Sequence, residues 1–229
     1  MRICVSHWSN NVNISHHLDD ATVMAHAAGT LPYALSTVAE SHLEFCATCR
    51  ATLKNAREIG GSLLTELEPV EVSAARKEAI LAEIGSATLH RLPLAQPFKR
   101  GEMPMALQEV LRVERFDDIA WRKSAPGIQI YKLPKQQGET GFFGLLRIEP
   151  GHTMPEHGHG GMELTLVLKG AYHDALGHFA RGDIADHDES IEHQPVVVGD
   201  EACICLVANQ AATRFRSWPA RIMQKFIGI

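Results

Sequence analysis

The chain has 229 residues, 45% of them hydrophobic and 21% charged, enough apolar material for a sizeable core and too much for a disordered segment. A formal charge of −5 excludes a general nucleic-acid binder, which needs a basic excess to displace counterions. The unusual residue is histidine, present 13 times and clustered, beside five cysteines.

The opening, "MRICVSHWSNNVNISHH", is polar and lacks the apolar stretch of a secretory signal, and no run approaches the ~18 apolar residues of a membrane span. A cytoplasmic protein with no membrane segment is expected. Cys4, Cys46, Cys49, Cys203 and Cys205 fit that compartment, being too few and too unevenly placed for a disulfide framework.

The first ninety residues read helical. "LDDATVMAHAAG" offers aspartates at a helix start and Gly29 as a stop. "TLPYALSTVAESHLEFC" predicts a second helix, with Thr30 as its cap and Pro32 in its first turn. "RATLKNAREIGGSLLTELEP" continues in helical composition until Gly60 and Gly61 loosen it and Pro69 ends it. "SAARKEAILAEIG" sets Ile80, Leu81 and Ile84 on one stripe opposite Arg76, Lys77 and Glu83, so this short amphipathic helix needs something to lie against. Its two candidate supports are the other three helices and a groove on a partner.

Residues 86–104 carry three prolines and no clean period, as a linker does, and a helical patch recurs around Met105 to Val113. From Asp118 the pattern changes to short strands: "IQIYKLP", "GFFGLLRIEPG", "ELTLVLKG", "AYHDALGHFARGD", "QPVVVGD", "ACICLVAN" and "RIMQKFIGI", separated by Gly, Pro and Asp turns. Such spacing predicts an antiparallel sandwich or barrel.

Two groups of residues carry chemistry. In "ESHLEFCATC", His42 and Cys46 stand four apart on one helical face, and Cys49 joins them three residues on. Thiolate and imidazole together suit zinc in a tetrahedral site. A fourth ligand is needed, from His16, His17, His26, Cys4 or His7. His17 stands just before a helix start, where its side chain can fold back over the second helix, and His26 is the next best placed. A thioredoxin-like redox pair would instead need a strand before the CxxC, and none is predicted there.

The second group lies in "PGHTMPEHGHGGMELTLVLKGAYHD". His157 and His159 are two apart, so in a strand they aim to one side. Glu163 opens an apolar strand, where an unpaired buried carboxylate is costly and a metal removes the cost. His193, in "GDIADHDESIEHQP", supplies a fourth ligand. Three histidines and one carboxylate suit Zn, Fe, Mn, Ni or Cu alike.

The spacing Gly151, His157, His159, Glu163, Gly170 resembles the cupin motif G-x5-H-x-H-x3-E-x6-G. The second cupin motif is met by Gly182 and His193. It is not met at Asp188 and Ser190, where the family has proline and glycine, or at Val197, where asparagine is frequent. Joined to an upstream H-x3-C-x2-C on helices, the chain is similar to ChrR-type anti-sigma factors over nearly its whole length, the first dozen residues excepted.

The resemblance implies an α + β two-domain protein. A small zinc-binding helical bundle at residues 1–88 is joined by a linker at 89–105 to an antiparallel β-barrel (cupin) at 106–229. It names His17, His42, Cys46 and Cys49 as zinc ligands, and His157, His159, Glu163 and His193 as ligands of zinc or another divalent transition metal. The implied function is non-catalytic: sequestration of an extracytoplasmic-function (ECF) sigma factor in the cytoplasm, released on an oxidative signal such as singlet oxygen sensed through the cupin. No direct nucleic-acid contact is implied, and the cupin half allows a homo-oligomer.

The competing reading is a metal-dependent cupin oxygenase or isomerase with a helical accessory domain, for which Phe142, Phe143 and Arg147 would select a substrate. A metal-binding scaffold is the third. Cys203 and Cys205 share one strand face, as core residues or as part of an oxidation response.

Overall fold

A computed structural model describes residues 13–86 and 102–215. The expected strand "RIMQKFIGI", Cys4, His7 and most of the linker lie outside the described residues.

Helix α1 (Asp20–Ala27) begins where Asp19 caps it, the carboxylate accepting the Ala21 N–H at 2.8 Å. It ends ahead of Gly29, which takes the left-handed φ of +69°. Helix α2 (Tyr33–Phe45) starts after Pro32, not under a Thr30 cap. The Thr30 hydroxyl instead donates to the Ala25 carbonyl and closes the end of α1. The chain breaks at Cys46, which is extended. There the Arg50 guanidinium donates to the Leu43 and Glu44 carbonyls left open at the end of α2.

Helix α3 (Ala47–Thr65) runs through Gly60 and Gly61 and stops four residues before Pro69. Two exposed glycines cost about 1 kcal/mol each but do not break a helix. Helix α4 (Ala74–Ser86) and helix α5 (Met105–Leu111) complete the set.

The strands are β1 (Arg122–Ala125), β2 (Ile128–Lys132), β3 (Phe143–Ile148), β4 (His157–Gly158), β5 (Glu163–Lys169) and β6 (Ala171–Asp174). They continue as β7 (Gly177–Ala180), β8 (Ile184–His187), β9 (Glu192–His193), β10 (Val196–Val198), β11 (Cys203–Asn209) and β12 (Arg214–Phe215). They form three antiparallel sheets rather than one closed ring: β1-β2-β3-β11-β5-β8, β10-β6-β7 and β12-β4-β9.

The central strands of the six-stranded sheet, β3, β11 and β5, are buried on both faces over most of their length. Val167, Ala185, Cys203, Cys205 and Val207 point inward to a core shared with Tyr172 and Phe179 of the second sheet. Leu164, Leu166, Leu168, Ile204 and Leu206 point the other way, into one cluster with Leu35, Val38 and Leu43 of α2. Double-sided burial is why β11 reads as an apolar run from Cys203 to Ala208 and why β5, from Leu164 to Leu168, departs from one only at half-buried Thr165.

The N-terminal part is tied to the strand half by polar and ring contacts as well. The Ala34 N–H donates to Glu139 at 3.0 Å, His16 stacks on Phe179 at 3.9 Å, and Arg181 lies 5.5 Å over the Phe45 ring.

Because α2 and the sheet share one core, the two halves should unfold together. Leu206→Ala, at a site with no exposure, is expected to cost ~3 kcal/mol and lower the midpoint by roughly 10 °C. Helical ellipticity and tryptophan emission should report the same single transition, and separate transitions would contradict the shared core.

Candidate metal centres

The break at Cys46 builds the first centre. It turns the chain so that α3 starts over the end of α2, and the Cys46 sulfur accepts the Cys49 N–H at 3.3 Å, capping α3. His42 comes from the last turn of α2, with its Nε2 3.3 Å from the Cys49 sulfur. His17 enters from the segment before α1, its Nδ1 3.2 Å from the Cys46 sulfur and 3.8 Å from that of Cys49.

All four donor atoms lie within 4.8 Å of one another. Zn–S and Zn–N bonds at a tetrahedral centre give donor separations of about 3.3–3.8 Å, which matches this set. His42, Cys46 and Cys49 are buried, while His17 is exposed and forms the open side.

The environment favours neutral ligands until a cation arrives. Burial pushes the Cys49 thiol up to about 11 and the His42 imidazole down to about 4. An unprotonated imidazole is ready to ligate, and a divalent ion replaces the thiol protons. The His42 Nδ1–H donates to the Gly182 carbonyl at 2.9 Å, which fixes the tautomer and leaves the Nε2 lone pair facing the sulfurs.

Of the other fourth-ligand candidates, His26 is held by the Ser36 hydroxyl at 3.0 Å, and His16 reaches the His178 carbonyl at 3.1 Å. Neither belongs to the cluster.

The second centre sits inside the sheets. His157 on β4 pairs across from His193 on β9, and Glu163 opens β5. One donor atom from each of His157, His159, Glu163 and His193 lies within 4.8 Å of the rest, and all four residues are buried.

Two of the three rings are oriented from behind. His157 Nδ1–H donates to the Pro155 carbonyl at 2.8 Å, and His193 Nδ1–H donates to Asp174 at 2.8 Å. Those bonds leave two Nε2 lone pairs facing each other at 3.1 Å. The arrangement is repulsive unless a cation lies between them, and ~3.3 Å is the separation across a tetrahedral zinc. The His159 Nε2 is buried without a partner, as a ligand nitrogen would be.

Glu163 is fixed by His159 at 3.1 Å, Asn209 at 3.2 Å and the Thr165 hydroxyl at 3.1 Å. Burial alone would raise its carboxyl, but the His159 bond and the three histidines hold it below the usual range. Burial takes His157 down to about 4.

Reading the residues in order missed Asp174 and His187. Asp174 holds His193, and the inward alternation of Tyr172 and Asp174 along β6 was the available signal. His187 on β8 lies opposite Glu163, its ring 4.8 Å from His193 and 5.6 Å from His159.

The trio suggested for substrate selection is not assembled. Phe142 lies in the inner core, Phe143 packs edge-on to Tyr33 on the opposite face, and Arg147 pairs with Glu149 at 3.3 Å. Cys203 and Cys205 are buried with their sulfurs 3.6 Å apart and line the cavity that also touches His157, Glu163 and His193.

Residues 110–213 match the family model of the ChrR cupin-like domain. Over 218 residues the chain is 37% identical to the anti-sigma-E factor ChrR of Cereibacter sphaeroides, covering 95% of this chain and 100% of the relative. It also superposes, with a TM-score of 0.72 and 37% identity, on a chain in the crystal structure of Rhodobacter sphaeroides SigE in complex with the anti-sigma ChrR. That match covers 86% of this chain and 99% of the other. The relative is a regulator rather than an enzyme, and its helical and cupin halves align together. The chain belongs to the ChrR family of anti-sigma factors.

Proposed function

We propose that the chain is a zinc-dependent, cytoplasmic anti-sigma factor. Its helical half sequesters an ECF sigma factor, and an oxidative signal sensed at the cupin metal releases it. The observation that carries this reading is an unburied apolar surface on α3, on the turn just after it and on α4. Ile59, Leu63, Leu64 and Leu67 are 55–70% exposed, and Ile80, Leu81 and Ile84 on α4 are 44–67% exposed.

The sequence left open whether the α4 stripe rests on its own helices or on a partner. Its exposure favours the partner, and the related chain is crystallised with SigE. Large apolar patches on a folded chain mark such interfaces. No helix among the described residues is long and apolar enough to cross a membrane, which fits a partner in the cytoplasm.

Within this reading His17, His42, Cys46 and Cys49 hold a structural zinc that fastens α2 and α3 at a fixed angle. His157, His159, Glu163 and His193 hold zinc or another divalent transition metal. We place the domain boundaries at 1–88, 89–105 and 106–229.

The docking surface is tested by a paired Leu81→Glu, Ile84→Glu substitution. Capture of the cognate sigma factor by the full chain should fall more than tenfold while metal content stays unchanged, since both side chains are exposed. Undiminished capture would refute α4 docking.

Elemental analysis should find two ions per chain, reduced to one by Cys49→Ser and to one by His193→Ala. In the metal-free chain, burial holds His42, His157 and His187 at about 4, below the ordinary 6.5. The unfolded chain therefore binds more protons between those values, so stability is fully present above about pH 6.5 and lost as pH falls toward 4. The urea midpoint of the stripped chain should drop across that window, and a flat profile would contradict neutral buried imidazoles.

Signal sensing is tested by illuminating the sigma-factor complex with a photosensitiser. The wild-type complex should dissociate and the His193→Ala complex should stay intact. Equal release from both would remove the cupin metal from the sensing step.

A further inference from the structure

Four-residue β8 reaches both metal centres. Its alternation sends Ala185 into the inner core and His187 to the cupin histidines, while Ile184 and Asp186 face the helices. It is an edge strand, bonded to β5 on one side. On the other side the segment before α1 lies along it, with the Ile184 N–H reaching the His16 carbonyl at 3.4 Å.

The contacts converge on the helical ligands. Just before β8, the Asp183 carboxylate accepts the N–H groups of Ser15 at 2.6 Å and His16 at 3.0 Å, and its other oxygen takes the Ala180 N–H at 2.9 Å. Asp186 accepts the N–H of Asp19 at 2.9 Å. His17 therefore stands between two backbone stretches pinned to carboxylates of the cupin half. The Gly182 carbonyl, in the same turn as Asp183, aims His42. At the far end of β8, His187 pairs across from Glu163 and packs on His159 and His193.

We propose that β8 and the turn before it are the coupling element between the two centres, with Asp183 as the positioning residue for the helical one. The cupin ligand set holds the His187 end of the strand, and Gly182, Asp183 and Asp186 hold His42 and His17 in the geometry that closes on an ion. When the cupin set is disordered, β8 loses its anchor and the helical centre holds its ion less tightly. Coupling is reciprocal, so loss of the helical ion loosens the cupin end as well. The inference rests on both centres binding an ion, as proposed above.

The test uses the full chain loaded with cobalt(II). Thiolate-to-cobalt absorption reports the helical centre, because the cupin ligand atoms include no sulfur. The rate at which excess chelator abolishes that absorption is compared across variants. Asp183→Ala, which frees the backbone that carries His17, should accelerate it roughly tenfold, the low end of the effect of removing a group bonded directly to a ligand, and His193→Ala should accelerate it several-fold from the far centre.

The double variant should be no faster than Asp183→Ala alone, because both changes act through one strand. If Asp183→Ala does not fold, Gly182→Ala replaces it with the same expectation, since the turn sits at φ +92° and a side chain there displaces the carbonyl facing His42. Two bound ions in the wild-type chain together with an unchanged rate in His193→Ala, or rates that multiply in the double variant, would overturn the coupling alone. Fewer than two ions in the wild-type chain would overturn the metal assignment and the coupling with it.

Discussion

Burial of the central strands β3, β11 and β5 on both faces is the constraint from which the rest of the structure follows. Along β5, neighbouring residues serve different cores: Glu163 looks into the cupin centre, and Leu164 looks into the cluster shared with α2. A strand used in this way cannot be shifted by one residue without exchanging the two sets. The register that turns Glu163 toward the three histidines is therefore the register that seats the helices. Gly170, at the end of β5, shows how little slack remains, since a Cβ there would fall 2.8 Å from the Ala202 carbonyl oxygen.

Within that frame the polar groups in the interior need an answer, and the proposed cation at each centre would supply it. Paired lone pairs on His157 and His193, the unpartnered Nε2 of His159 and a buried carboxylate would each cost free energy if left alone. The helical centre poses the same problem with sulfur, since two buried thiols and a buried imidazole face one another there. Structural zinc contributes apparent binding free energy on the order of 10–16 kcal/mol, large against the stability of a helical bundle of this size.

Much of this was legible in the sequence, and the reasons differ from residue to residue. His42, Cys46 and Cys49 could be read because helical spacing is local. Glu163 could be read because a charge opening an apolar strand demands a partner. The α2–α3 boundary was misplaced because Cys46 acts as a cap through its sulfur, a role outside the usual Ser, Thr, Asp and Asn set. Thr30 was misread as a cap for what followed, when its hydroxyl closes what came before. Asp183, His187 and the Gly182 carbonyl were invisible because their partners are long-range: Gly182 lies 140 residues from His42. No local pattern carries such a pairing. The largely apolar β5 and β11 are what double-sided burial requires, but nothing in them says that the N-terminal helices supply the cover.

That cover decides what remains available for a partner. Helix α2 is buried on the sheet along most of its length, whereas α3 buries only Cys49, Leu53 and Ala56, all in its N-terminal half. The sheet thus takes the beginning of the helical half and leaves the later turns of α3, with α4, apolar and exposed. Cys49 lies in the first turn of α3, so the ion it is proposed to hold fixes the root of the helix whose free end carries Leu63 and Leu64. Under the proposed assignment, a change at that ion would alter the angle of a lever rather than a contact surface. The exposed side chains can keep their chemistry while losing their placement, and a partner that needs α3 and α4 together is the one such a movement would release.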